Sequence, residues 1–141
     1  MKGCRAKVWT MSLFESSLVA FIATLDAARA RAFYESTLGL RVIADTPFAL
    51  VLDSRGTTIR IQKVETLTPH PFTSLGWTVA DIAKSIDELR GRGVLFERYQ
   101  SLPQDQAGIW TTPDGSKVAW FKDPDGNTLS LTQPGPPPSG R

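Results

Sequence analysis

Cysteine and histidine are almost missing from this chain: its 141 residues include one of each, Cys4 and His70. A single cysteine excludes an internal disulfide framework and any CxxC zinc or redox site. A single histidine excludes every site that needs two imidazoles from one chain. An excess of one charge is missing too. Sixteen Lys and Arg stand against fourteen Asp and Glu, leaving a formal +2 without blocks. A nucleic-acid module needs a clustered basic face, and none is written here. The longest unbroken apolar run, Leu18 to Ala23, falls far short of the roughly 20 residues of a membrane span. Lys2, Arg5 and Lys7 lie near the start, but the stretch behind them is broken by Thr10, Ser12 and Glu15, so no export signal is read. The expectation is a cytoplasmic protein with neither nucleic acid nor membrane as partner.

The chain is long enough for one compact domain, and its 41% hydrophobic and 21% charged residues are those of a globular one. Both ends read as peripheral. Residues 1–16 lack a clear period and form an N-terminal extension, in which Met11 is an alternative start and Cys4 an exposed thiol. Residues 134–141, PGPPPSGR, can neither pair as a strand nor coil as a helix, and are expected to be a disordered tail.

The part between, 17–133, repeats one pattern. In the first unit, about 17–66, an apolar β-rich run from Leu18 to Leu25 stops at Asp26, whose carboxylate is placed to cap a helix. Ala30, Phe33, Tyr34 and Leu38 then mark one helical face, and Gly39 supplies a left-handed stop. Strands are predicted at Leu40–Ala44, Phe48–Leu52 and Thr57–Gln62. The second unit, about 72–133, has a strand from Thr73 to Ala80, a cap at Asp81, and a helix carried by Ile82, Ile86 and Leu89 and closed by Gly91 and Gly93. Strands are predicted at Val94–Tyr99, Gly108–Thr112, Lys117–Lys122 and Thr128–Thr132, with a tight Asp123-Pro124-Asp125-Gly126 turn before the last. The capping acids are 55 residues apart and the glycines Gly39 and Gly93 are 54 apart, an offset that points to duplication.

Two strings in this pattern resemble a known family. Phe33-Tyr34 followed by Leu38-Gly39-Leu40, and Trp120 to Leu131 (WFKDPDGNTLSL), are similar to the first helix and closing hairpin of the glyoxalase/bleomycin-resistance/extradiol-dioxygenase group, the vicinal oxygen chelate superfamily. The resemblance implies an α+β fold: two βαβββ modules whose mixed, mainly antiparallel strands curl into an open cup with helices outside. It also implies a homodimer. Metal-using members place ligands on the first and last strand of each module. The matching positions here hold Val19, Arg60, Ser74 and Ser130, with no His, Glu, Asp or Cys within two residues of any of them. Valine has no donor atom, lone serine hydroxyls are poor ligands, and arginine puts a fixed cation where a metal would sit. No metal and no other cofactor is therefore expected.

Alternation along the implied strands turns Phe21, Arg60, Gln62, Ser74, Thr78 and Ser130 toward the cup, and Trp110 and Trp120 join them as candidate stacking surfaces. These eight are the expected ligand-binding residues, with Arg60 a donor to a carboxylate, phosphate or phenolate. No catalytic residue is assigned. Trp77 falls one step out of register with Ser74 and reads as core, as do Phe33 and Tyr34, whose buried hydroxyl would need a partner. His70, between Pro69 and Pro71, reads as an exposed part of a stiff linker. The leading expectation is a metal-independent protein of the bleomycin-resistance type that sequesters an aromatic or anionic drug or metabolite in a dimeric cup. Two alternatives stay open. One is a glyoxalase- or dioxygenase-like enzyme with a non-standard metal site, using such acids as Asp45, Asp53, Glu65, Glu97 or Asp105. The other is an interaction subunit whose cup is filled by Phe21 and a tryptophan.

Overall fold

The computed structural model describes residues 12–137, so the readings placed on Cys4, on Met11 and on 138–141 lie outside it. After a short 3-10 turn at Leu13–Glu15, the chain forms β1 (Val19–Thr24), α1 (Ala27–Arg31, continued by a π-helical stretch at Ala32–Thr37), β2 (Arg41–Asp45), β3 (Ala49–Ser54) and β4 (Thr57–Lys63). The second module follows as β5 (Thr73–Thr78), α2 (Ile82–Gly91), β6 (Trp110–Thr111), β7 (Lys117–Lys122) and β8 (Thr128–Gln133). Each module makes one four-stranded sheet, in the orders β1-β4-β3-β2 and β5-β8-β7-β6. In both, the first strand pairs in parallel with the last, and the other pairings are antiparallel.

The local signals act as their chemistry predicts. Asp26 and Asp81 each accept the backbone N–H three residues on, at 3.1 Å, and so satisfy a free donor in the first turn. Gly39 and Gly93, at φ +81° and +94°, end the helical segments in the left-handed conformation that only glycine adopts without cost. On β1, Ile22 and Thr24 turn inward while Phe21 turns out. Ile59 and Ile61 of β4 and Leu50 and Leu52 of β3 share the inward face. Ala119, Phe121, Leu129 and Leu131 do the same in the second sheet, and both sets merge with Ala30, Tyr34, Ile82 and Ile86 into one core. Trp77 packs against that core, as its register predicts, and stacks on Phe121.

One predicted strand does not form. Val94–Tyr99 makes only an isolated bridge from Phe96 to Phe121, and Gly108–Thr112 contracts to Trp110–Thr111. The Gln104 side chain takes over the work of a neighbouring strand: its amide nitrogen donates to the carbonyls of Glu97 and Gly108, and its oxygen accepts the Tyr99 N–H at 2.6 Å. Arg98 holds the carbonyls of Asp105 and Gln106, and Asp105 accepts the N–H groups of Ala107 and Ile109. The segment is a tied loop rather than a ladder.

The turn between β7 and β8 joins the modules. The buried Asp123 carboxylate accepts the Tyr34 hydroxyl at 2.7 Å, the Asn127 amide at 2.8 Å, and the backbone N–H groups of Asp125 and Asn127, both at 2.9 Å. Asp125 reaches across to the Thr24 hydroxyl at 2.5 Å and the Leu25 N–H at 2.9 Å, while the Asn127 amide also donates to the Ala23 carbonyl. On the other side, the Trp77 indole donates to the Ser54 hydroxyl at 3.0 Å.

Burial, with the Asp123 charge beside it, holds the Tyr34 phenol protonated far above its usual range. The native state therefore keeps a proton that the unfolded chain releases near pH 10, and this contribution to stability is lost as pH rises above that point. Denaturant unfolding of wild type and Tyr34→Phe between about pH 8 and 11 checks this. The variant is expected to lose about 1–2 kcal/mol at neutral pH. Its stability should fall less steeply in alkali, by about 1.4 kcal/mol per pH unit. Equal alkaline slopes would show that Tyr34 is not held protonated.

Candidate binding site

The faces of the two sheets that turn away from the core carry the residues singled out by sequence. On the first sheet, Phe21, Arg60 and Val51 form one cross-strand row, and Ala23, Gln62 and Ala49 form the next. Phe21 is 56% exposed, an unusual position for a phenylalanine on a central stretch of strand. Arg60 is half-buried, and among the described residues no carboxylate pairs with it.

On the second sheet, one row runs Gly76, Ser130, Trp120 and another runs Thr78, Thr132, Val118, Trp110. Ser130 is buried, and its hydroxyl lies 2.5 Å from where a β-carbon at position 76 would stand, so a side chain there would turn that hydroxyl aside. Trp110 and Trp120 stack with centroids 6.2 Å apart and planes 26° from parallel. Tyr99 meets Trp120 edge to face at 5.4 Å. The indole of Trp120 donates to the Thr73 hydroxyl at 3.1 Å, which fixes the ring. Burial, with a smaller effect from Glu97, raises the Tyr99 phenol, so its hydroxyl is a neutral donor.

Two cavities gather other members of the expected set. Phe21, Gln62 and Ser74 line a cavity of about 180 Å³ together with His70 and Asn127. Ser74 sits at an irregularity between β5 and β8, which takes it out of the regular ladder. Thr78 borders a larger cleft of about 420 Å³ between β1 and β5, with Leu18, Arg55 and Trp77. Arg60 and the tryptophan pair lie on different sheets. The hydrogen bonds that cross between modules run through the β7–β8 turn, Trp77 and Arg92, not through this pair of faces.

Sequence reasoning missed Tyr99, which it placed on a strand, and it read His70 as linker alone. His70 is exposed, but its ring stacks on Phe72 at 4.7 Å with planes 6° apart and borders the cavity. The proline on each side was the available signal, because it stiffens the segment that presents the ring.

Four of the five acids held open as catalytic alternatives are engaged elsewhere. Asp45 lies below the usual carboxylate range, chiefly through its 2.6 Å hydrogen bond with Lys63, and also faces Arg31. Asp53 pairs with Arg41 and accepts the Gly56 N–H, Glu97 faces Lys122 at 4.0 Å, and Asp105 ties its own loop. Glu65 is exposed on the linker after β4. Among the described residues no three His, Cys, Asp or Glu side chains stand together where they could hold a metal. Val19, Arg60, Ser74 and Ser130, on β1, β4, β5 and β8, offer two hydroxyls and a cation, which does not fit a divalent ion. The arrangement provides aromatic faces, hydroxyl donors and one guanidinium, which is equipment for holding a planar polar molecule. Among the described residues no helix is long and apolar enough to cross a membrane.

The similarity to known proteins agrees with the two-module architecture. The profile of the Glyoxalase/Bleomycin resistance protein/Dioxygenase superfamily matches residues 17–131. Among solved structures, TnmS3, an antibiotic binding protein from Streptomyces sp. CB03234, is 26% identical and superposes with a TM-score of 0.65, over 84% of this chain and 94% of that one. A member of the same superfamily from Sphaerobacter thermophilus is 25% identical with a TM-score of 0.67, over 84% of this chain and 96% of that one. Among curated proteins none matches. The chain belongs to the Glyoxalase/Bleomycin resistance protein/Dioxygenase superfamily.

Proposed function

We propose that this protein binds and sequesters a planar aromatic anion without transforming it, in a cup that two copies complete. The observation that carries the reading is the stacked Trp110–Trp120 pair with Tyr99 against its edge, a preformed aromatic platform on the face away from the core. Stacking on such a platform favours flat ligands, and the half-buried Arg60 guanidinium supplies a permanent planar donor for an acid group. Glu97, the carboxylate near that platform, faces Lys122 at 4.0 Å, which favours holding over proton transfer. The antibiotic-binding description of TnmS3, at 26% identity, adds support.

The dimeric part of the reading rests on placement. Arg60 and the tryptophans belong to different sheets, and the first sheet leaves Val19 and Phe21 exposed at 41% and 56% on an edge strand. A second copy laid on that edge would cover the apolar side chains and bring a Trp face opposite an Arg60 face.

Quenching of tryptophan fluorescence by naphthalene-2-carboxylate tests the binding. Arg60→Ala is expected to weaken it about tenfold to a hundredfold, and Trp120→Ala by a similar factor. Turnover of the ligand, or binding indifferent to both substitutions, would overturn the reading. Co-refolding equal amounts of the two variants tests the shared cup. If each cup takes Arg60 from one chain and Trp120 from the other, half of the dimers are mixed and each regains one intact cup, about a quarter of wild-type capacity. If one chain supplies both, the mixture binds no better than its parts. Protein saturated with zinc, nickel, manganese or iron(II) and then desalted is expected to retain almost no metal. Retention of about one ion per chain would restore the metalloenzyme alternative.

A further inference from the structure

The cavity beside Phe21 gathers polar side chains, Gln62, His70, Ser74 and Asn127, that the aromatic platform and Arg60 do not explain. Its wall is the linker between the modules, which is held against the β7–β8 turn. Gly126, at φ +89°, leaves room for Pro69, whose ring lies 3.2 Å from where a β-carbon would be. Pro71 follows His70, and the imidazole is held flat on Phe72. The linker is therefore a fitted strap that presents one imidazole at a set angle.

Asn127, beside Gly126, borders the same cavity. Both amide protons of Asn127 are already committed, to the Ala23 carbonyl at 3.0 Å and to the Asp123 carboxylate at 2.8 Å. Its carbonyl oxygen is thus an acceptor and cannot be flipped, because a carboxylate requires a donor. Among the described residues the Gln62 amide, the Ser74 hydroxyl and the His70 ring nitrogens make no hydrogen bond, and all three border the same space. The set contains donors and acceptors but no fixed charge.

We propose that this cavity is a second polar subsite of the binding cup, taking a neutral group that both donates and accepts, a hydroxyl or a carboxamide, with His70 and Ser74 as the residues that select it. The inference rests on the proposed binding of aromatic anions. Gln62 and Arg60 are two residues apart on the same face of β4, about 7 Å along the strand. A ligand whose acid meets Arg60 and whose flat body runs along β4 toward Gln62 therefore carries its second polar group into the cavity. No fixed cation is among the residues that border the cavity, so it has no counter-charge for a second carboxylate and favours a neutral group.

A matched pair of probes reads the subsite separately from the rest of the cup: naphthalene-2-carboxylate and 6-hydroxynaphthalene-2-carboxylate, which differ only in a hydroxyl at the far end. Wild type is expected to prefer the hydroxylated probe about tenfold. In His70→Ala and in Ser74→Ala the preference should shrink to about threefold or less, and in the double variant it should vanish. Arg60→Ala should weaken both probes equally and leave the ratio unchanged. Because His70 is the only histidine, its ring-proton NMR signals are a second readout. They should shift further with the hydroxylated probe than with its parent. A wild-type ratio near one, or a ratio untouched in the His70→Ala and Ser74→Ala variants, overturns the subsite while leaving the binding reading intact. Failure of both probes to quench tryptophan and to shift His70 overturns both.

Discussion

The Asp123 carboxylate, 6% exposed, receives the Tyr34 phenol, the Asn127 amide and two backbone N–H groups. A buried charge is tolerated only when its lone pairs are met, and here they are met from both modules at once. Tyr34 comes from the helical segment of the first module, 89 residues away in sequence. Its placement draws Phe33 against Phe121 and so joins the two halves of the core. With Asp125 on Thr24 and Leu25, and Asn127 on Ala23, one five-residue turn orients the second module on the end of β1. The same turn, through Gly126, gives the linker a seat for Pro69 and so reaches the cavity that His70 borders. The junction of the modules and one wall of the candidate site are thus set by the same few atoms.

The duplication is nearly symmetric in backbone and not in chemistry. Asp53 matches Asp123 in the earlier β3–β4 turn, but its carboxylate accepts the turn glycine's N–H, which in the later turn goes to the Asp123 backbone carbonyl, and its other partner is the exposed Arg41 at 3.7 Å rather than a buried phenol. The position matching Tyr34 is Leu89, which has no hydroxyl to offer. The counterpart contact on that side is the single hydrogen bond from Trp77 to Ser54. One junction is charge-assisted and the other is a neutral pair beside aromatic packing, so the two are expected to differ in strength.

The repeated order of strand, capping acid, helix and glycine was legible because each signal acts locally: Asp26 and Asp81 bond three residues on, and Gly39 and Gly93 need only their own dihedral. Val94–Tyr99 misled for a physical reason. Its apolar run Val94-Leu95-Phe96 reads as a strand, and Val94 lies in the core with Phe96 packed against it. Beyond the bridge to Phe121 and the Glu97 N–H on the Trp120 carbonyl, however, its backbone partners come from the Gln104 side chain. A side chain that substitutes for a ladder leaves no trace in a period-two pattern. Alternation placed Phe21, Arg60 and Ser130 on the sheet faces they occupy, and Trp110 and Trp120 were named only as aromatic rings that could stack, whereas the surroundings of Tyr99, His70 and Asn127 depend on contacts across the chain. The aspartates of the β7–β8 turn read as turn residues, and nothing local to them names Tyr34 or Thr24 as partners.

The linker from 64 to 72 carries little of the bonding between the modules, which runs through side chains of β1, α1 and the β7–β8 turn. Its peptide connection acts mainly as a tether that raises the local concentration of one module around the other. In evolutionary terms this leaves the strap free to change. Its length and sequence can drift, or be exchanged for another, without unseating the modules, provided that a residue such as Pro69 still fills the notch over Gly126. On the proposed reading, a residue that selects the ligand, His70, then sits in a segment that makes few of the hydrogen bonds between the two halves.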